Sequence, residues 1–396
     1  MFSDSRIYSV DLAKGIALIL ILYLIEFSEG ITGDWFFGNL YHSGTSILYT
    51  LILSFFFFVS GIAVPFRLSK RINDGQSVYD ILKSVFAISL IMITAGAMLV
   101  NIPRVNKELT GFGPGVWAVI LVISIFLVWN RYPEKDNNFF TVSGLRITGL
   151  AILVFLVFKF RSGTWENNGS LITGHWEIPG LYGWGLLASS LIWLIVRNSV
   201  SGTVAAWFFF LALNIFSVLG LNNILNPAHR YFGVLIDGYI PFIFISGMLA
   251  GVMIKHYPSG NKGKLISMLT FTGIIMSAAG LLLYFKVLPP EGLYGQPSWA
   301  LTGAGLSMLL FVVILYFYDL EDKFKIKFAE NTGRSFFTGY IIAFFLYGIA
   351  DIARVDLHAS GNGSLPALSF AVPLLFSFVV TCITVILSRI GIRLRF

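Results

Sequence analysis

Ionisable side chains are expensive inside a bilayer, so those kept within an apolar stretch are candidates for function. The first apolar stretch of this chain keeps three, Asp11, Lys14 and Glu26. Asp11 and Lys14 are three residues apart, so on a helix they share a face and can pair. At 1.5 Å per residue Glu26 lies roughly 22 Å from Asp11 along the axis. The charges therefore mark the two mouths of one helix and leave its middle apolar. Interfacial anchoring, with the charged heads snorkelling to water, explains the same placement without any chemistry.

Histidine titrates near neutral pH and is the commonest general base. Of the five histidines, His42, His175, His229 and His358 fall in segments assigned below to the outer side, and His256 to the inner side. No two are four residues apart and no HExxH occurs, so no preformed zinc site is expected. Further polar features on the outer side are Trp165, Glu166, Trp176 and Glu177, then Asn226 to Arg230, then Gln296 to Trp299. Aromatic rings beside carboxylates suit the faces and hydroxyls of sugars, although Trp and Tyr also form the ordinary interfacial belt. On the inner side Thr332-Gly333-Arg334 opens a helix that continues through Ser335 and Thr338. A helix start with an adjacent arginine is a phosphate-binding arrangement, and it is equally a helix start beside a topology-setting cation.

The elements that must carry these residues follow from composition. Of 396 residues, 12% are charged and 56% hydrophobic, with a mean hydropathy of +0.81. Such a chain is neither a soluble globular enzyme nor a disordered one. A bilayer span needs about 20 mostly apolar residues, and twelve runs qualify, near 8–27, 46–66, 81–102, 112–130, 142–160, 180–196, 203–222, 232–254, 264–285, 299–318, 335–353 and 367–388. The first run carries both charge signs and no small-residue cleavage site, so it reads as a retained helix rather than a signal peptide. With the amino terminus in the cytoplasm, twenty of the 27 Lys and Arg fall on the inner side and seven on the outer. The net charge of +7 is then a topology signal and calls for no nucleic-acid partner. The expected fold is all-α and polytopic, a single membrane domain over 1–396 with both termini cytoplasmic. Cys382 is the only cysteine, so no intrachain disulfide forms.

At this point the residues carry a family resemblance. Arg6, then Ser9 to Leu18 with Asp11, Lys14 and Gly15, then His42, then FFFFVSG from Phe55 to Gly61, resemble the opening of the transmembrane acyltransferase superfamily. The heparan-alpha-glucosaminide N-acetyltransferase branch and the YeiB-like branch are the most similar. Later landmarks arrive in family order: Trp176-Glu177-Ile178-Pro179-Gly180 with Gly183 and Trp184, Asn226-Pro227 before Gly247 and Gly251, Pro297 to Thr302, and Gly333-Arg334-Ser335 with Tyr340. Lys14 stands where the family usually has arginine, Glu26 near where relatives carry a polar residue such as asparagine, and Arg334 matches the YeiB-like branch. The resemblance implies a ten-helix core, so twelve spans imply an added hairpin, placed at 81–130.

It also implies a function: transfer of an acyl group, in the first instance acetyl, from cytoplasmic acyl-CoA to an extracytoplasmic sugar or aminosugar. His42 is then the catalytic base or transient acyl carrier, with Glu26 orienting the imidazole or the acceptor. Asp11, Lys14, Arg334 and Ser335 contact the donor, and Trp176, Glu177, His229 and Trp299 the acceptor. No permanently bound cofactor is expected; acetyl-CoA is a substrate. The partners are the lipid bilayer, of a bacterial inner membrane, the donor and the glycan, with homodimerisation open. The rival is a secondary transporter or flippase of a sugar or lipid-linked precursor, whose marks are buried charges within helices and Gly/Pro-interrupted helices at corresponding positions of two halves. The orientation is directly testable. A cysteine introduced at Ser43 in a Cys382→Ser background should react with an impermeant maleimide on intact cells, and reaction only after lysis would invert the topology.

Overall fold

A computed structural model describes residues 7–32, 44–132, 139–164, 166–172, 174, 176–257, 261–286, 295–321, 325–355 and 366–394. In chain order the helices are α1 (Tyr8–Thr32), α2 (Gly44–Asn73), α3 (Val78–Leu99), α4 (Lys107–Thr110), α5 (Pro114–Trp129), α6 (Phe139–Lys159), α7 (Ile178–Val196), α8 (Val200–Val218), α9 (Asn226–Asp237), α10 (Tyr239–His256), α11 (Lys262–Lys286), α12 (Pro297–Leu315), α13 (Lys327–Arg334), α14 (Phe336–Ala353) and α15 (Pro366–Arg389). Long apolar runs become helices because only a helix satisfies its own backbone hydrogen bonds where water is absent. Among the described residues ten helices are long and apolar enough to cross a membrane, and the chain is a multi-pass membrane protein. The strand content among the described residues is a ribbon of two residues on each side, Ser162–Gly163 against Asn168–Gly169.

Several expected boundaries shift, each for a local reason. The run at 112–130 yields only 16 helical residues, because Pro114 opens α5 and Asn130 leaves helical geometry. The run at 232–254 is broken at Gly238, whose φ of 68° ends α9 and starts α10. The run at 299–318 ends in a π-helical segment, Tyr316–Leu320.

The chain divides into two compact units: 1–17 with 41–93 and 178–333, and 18–40 with 94–177 and 334–396. In the first unit every residue of α10 from Tyr239 to Ile254 is buried, as befits a helix that is apolar all round. It crosses α2 through glycines. A Cβ at Gly247 would collide with the carbonyl of Phe58, one at Gly61 with the carbonyl of Phe244, and one at Gly251 would lie 2.6 Å from the carbonyl oxygen of Ile62. α11 and α12 approach the same way: a Cβ at Gly280 would meet Thr302, and one at Gly305 would meet Ser277. Exposed Phe208 and Phe209 on α8, and Phe271, Ile274 and Leu282 on α11, leave faces suited to lipid.

In the second unit α5 crosses α14 where Gly115 faces Gly348, a Cβ on either glycine coming within 2.8 Å of the other's carbonyl oxygen. The Gly115 N–H donates to Asp351 Oδ2 at 2.9 Å, so a carboxylate from α14 satisfies an orphan donor at the start of α5. Asn101 anchors the segment before α7: its Nδ2 donates to the carbonyls of Ala97 (2.7 Å) and Ile172 (3.1 Å), and its Oδ1 accepts from Ile172 N (2.9 Å) and Arg104 Nη1 (2.9 Å). The chain end is tied as well. Arg393 N donates to Asn130 Oδ1 at 2.8 Å and Leu394 N to Thr338 Oγ1 at 3.1 Å.

The glycine crossings give a prediction of opposite signs. Overpacking a close contact costs about 1–3 kcal/mol, so Gly247→Ala should lower the thermal midpoint of the purified protein in detergent. Gly263→Ala, near the start of α11 with open space around it, should leave the midpoint unchanged or raise it.

Candidate functional site

Three groups of side chains emerge, and each is built by local features of the sequence. The first gathers around the start of α1, in the first unit. Gly15 and Gly333 lie at a backbone contact between α1 and α13: a Cβ at Gly15 would collide with the carbonyl of Ala329, and one at Gly333 with the carbonyl of Asp11. Leu12 packs with Tyr318 and Ala329, and Ile16 and Ile314 close the cluster. Asp11 is buried and Lys14 half-buried, one turn apart on α1. The π-helical segment then contributes two adjacent polar residues. Asp319 Oδ2 accepts from the backbone N–H of Ser9 at 2.9 Å, capping the start of α1 with a negative charge where the helix dipole favours one. The Tyr318 hydroxyl accepts from Ile326 N at 2.9 Å and donates to the buried carboxylate of Glu330. Lys325 Nζ sits 5.0 Å from the Tyr8 ring and 5.4 Å from the Tyr318 ring, a cation over two aromatic faces. Thr332-Gly333-Arg334 closes α13 rather than opening a helix, and Arg334 and Ser335 belong to the second unit. Arg334 is half-buried, and its carbonyl accepts from the Arg393 guanidinium. Ser335 Oγ is buried and has no hydrogen-bond partner among the described residues.

The second group lies in the second unit, on α14. Tyr340 and Tyr347 are seven residues apart, two turns on one face, and each donates to a buried carboxylate. The Tyr340 hydroxyl is 2.8 Å from Glu177 Oε2, and the Tyr347 hydroxyl is 2.7 Å from Glu26 Oε2. Glu177 is 6% exposed and Glu26 only 1%. Glu26 is therefore no snorkelling anchor: its carboxylate is held inside the protein by a phenol, as a buried charge requires. Tyr340 stacks at 6.3 Å on Phe336 and meets Phe344 edge-on at 5.4 Å; Tyr347 stacks on Phe376 at 4.8 Å. These rings fix the phenols that hold the two carboxylates.

The third group belongs to the first unit. His229 Nε2 is 2.9 Å from Asp237 Oδ1, and that oxygen also accepts from Ser217 Oγ at 2.6 Å. The imidazole ring lies over Gly233, one turn along α9, where a Cβ would come 3.1 Å from it. Asn214 Nδ2 donates to the carbonyls of Asp237 (2.9 Å) and Gly295 (2.8 Å), joining the end of α9 to the segment before α12. There Trp299 is half-buried, 6.1 Å edge-on from Tyr284, with its indole N–H unpartnered among the described residues.

Of the residues expected to contact an acceptor, Trp176 and Glu177 fall in the second unit, and His229 and Trp299 in the first. Glu177 carries its carboxylate inward to Tyr340, while Trp176 is half-buried. His42, with Arg6, Trp165, His175 and His358, lies outside the described residues. Tyr347, Asp237, Tyr318 and Glu330 were missed in the sequence. The spacing of the two α14 tyrosines was a usable signal, whereas nothing in the sequence flags a π-helical segment.

Removing a phenol that serves a buried carboxylate costs about 1–3 kcal/mol. Tyr347→Phe should therefore lower the melting midpoint. Glu26→Gln should recover part of that loss in the double variant, because the two residues share one interaction. Additive losses would mean that the pair is not coupled.

The sequence matches no protein-family model and no curated protein.

Proposed function

We propose that this protein is a membrane-embedded acyltransferase that moves an acyl group, in the first instance acetyl, from cytoplasmic acyl-CoA to a sugar or aminosugar on the far side of a bacterial inner membrane. The observation that carries the reading is the glycine contact between α1 and α13. Two segments singled out by the family resemblance, Asp11 to Gly15 and the turn ending in Gly333, come from opposite ends of the chain and touch through residues that tolerate no side chain. A second such coincidence supports it, since Glu177, from a further landmark segment, shares a hydrogen bond with Tyr340 of the landmark that begins at Gly333. The FFFFVSG helix, likewise, meets α10 at the landmark glycines Gly247 and Gly251. The same reading takes the expected twelve spans as a ten-helix core with an added hairpin at 81–130, with both termini cytoplasmic.

On this reading CoA, a polyanion, stays on the cytoplasmic side. Lys14, oriented by Asp11, and Arg334 are the cations assigned to its phosphates, with the Ser335 hydroxyl as a further donor. The acceptor hydroxyl or amine attacks the thioester carbonyl carbon while His42 takes its proton. The C–S bond then breaks, and the thiolate of CoA receives that proton from the imidazolium. In the alternative order the imidazole attacks first and carries the acyl group to the acceptor. Glu26 orients the imidazole or the acceptor. Trp176, Glu177, His229 and Trp299 are assigned to the acceptor.

The rival reading, a secondary transporter, is favoured by one observation: buried Glu26 and Glu177 are protonatable groups in the protein interior. One experiment separates the two. Purified protein given acetyl-CoA and a mixture of aminosugars should release CoA. General-base assistance contributes about 10²–10⁴-fold, so His42→Ala should lose at least about the lower factor while still binding CoA. Lys14→Ala and Arg334→Ala should weaken CoA binding in calorimetry. Solute counterflow in proteoliposomes without any CoA turnover would establish the transporter instead.

A further inference from the structure

In the first unit the ends of α2, α7 and α10 bound a cleft of about 320 Å³, lined by Ser69 and Asn73 of α2, Trp193, Arg197 and Asn198 at the end of α7, and Lys255 of α10. These three spans end within a few residues of the cleft, at Asn73, Val196 and His256. It therefore sits where the apolar part of each helix gives way to polar surroundings. Ile195, 78% exposed, is two residues from Arg197 and presents an apolar surface suited to lipid.

The lining is one-sided in charge. It holds two cations and three uncharged groups that can donate hydrogen bonds, Ser69, Asn73 and Asn198, and no carboxylate. Part of it is braced: Trp193 Nε1 donates to Asn198 Oδ1 at 3.3 Å, and Asn198 Nδ2 donates to Ser69 Oγ at 3.4 Å. Ser69 accepts that bond and keeps its own proton to donate. Lys255 Nζ reaches the Pro65 carbonyl at 3.5 Å and lies 5.5 Å from the Phe66 ring. Helix carboxyl ends attract cations through their unpaired carbonyls, and that attraction accounts for Lys255.

Arg197 also follows a helix end, that of α7, but its guanidinium reaches no carbonyl among the described residues. The Arg197 guanidinium is half-buried and stacked 5.5 Å from the Trp193 ring, yet it makes no hydrogen bond and no ion pair among the described residues. Its backbone has φ 55°, a conformation that follows helix ends mostly at glycine or asparagine. The chain places arginine there and asparagine at the next position. A stacked guanidinium with its planar fork of donors unused is the standard recognition element for phosphate.

We propose that this cleft binds the phosphodiester headgroup of an anionic phospholipid, with the acyl chains lying along the exposed face that includes Ile195. A free phosphate would offer the same chemistry. The lipid is the better fit because the cleft lies at the ends of three spans, on the side that the basic residues make cytoplasmic, where basic pockets between helices take anionic headgroups. The assignment is independent of acyl transfer.

The test uses the full chain purified in detergent and titrated, under native mass spectrometry, with phosphatidylglycerol or phosphatidylcholine of the same acyl chains. Phosphatidylglycerol should be retained over phosphatidylcholine by roughly tenfold, and Arg197→Gln with Lys255→Gln should abolish the preference. If that double variant does not fold, Asn73→Asp on the exposed rim should reduce retention by repulsion without disturbing the core. Equal retention of the two lipids, or equal retention by parent and folded variants, would overturn the site. Retention of inorganic phosphate by the parent but not by the double variant, with no preference for phosphatidylglycerol, would overturn the lipid assignment and leave a cleft for a soluble phosphate.

Discussion

Within a bilayer two apolar helices gain nothing by hiding from lipid, because the tails are as apolar as the side chains; they hold together only if their backbones come close enough for dense packing. In this protein that approach depends on glycines at helix crossings. Gly61, Gly247 and Gly251 set α2 against α10, Gly15 and Gly333 set α1 against α13, and Gly115 and Gly348 set α5 against α14. In each pair the missing side chain is replaced by the partner's backbone or a neighbouring side chain. The contacts also fix the backbone beside several of the polar residues. Asp11 lies one turn before Gly15 and Lys14 directly before it, and Arg334 and Ser335 follow Gly333 in the chain.

The second constraint is the satisfaction of polar groups in the interior. Glu26, Glu177 and Glu330 are all buried carboxylates, and each accepts from a tyrosine hydroxyl: Tyr347, Tyr340 and Tyr318. Tyrosine suits this task because its ring packs among apolar neighbours while its hydroxyl supplies the donor. Buried hydroxyls of Ser60, Ser189, Ser246, Thr302, Ser307, Thr381 and Thr384 take the other solution, donating to carbonyls one turn back in their own helices. Other buried polar atoms have no partner among the described residues, including Ser9 Oγ, Ser89 Oγ, Trp117 Nε1 and Ser277 Oγ. Ser335 Oγ and the Trp299 indole N–H lie in segments assigned to the donor and the acceptor, and the Arg197 guanidinium lines a cleft of its own.

The spans could be read from the sequence because the bilayer imposes a length and a hydropathy on each one separately, and both are local properties. That is why most of the expected runs fall within a few residues of a helix, and why the exceptions arise at residues with special backbone behaviour, Pro114 and Gly238. The motif residues around Asp11, Glu177 and Gly333 were legible too, as departures from an apolar background. Their partners were not. Glu26 meets Tyr347 across more than three hundred residues of chain, and no periodicity within either helix records that pairing.

The sequence alone therefore determined that this is an all-helical, multi-pass membrane protein and where its polar residues interrupt the apolar helices. Only the tertiary structure decided which of those residues are buried and what holds them, Glu26 on Tyr347 and Glu177 on Tyr340, and that exposed His229 meets Asp237, which Ser217 also serves. The physical reason is that hydropathy acts on each residue by itself, whereas a buried charge is tolerated only through a partner. Which partner is available depends on helix crossings, and those are set by glycines far apart in the chain.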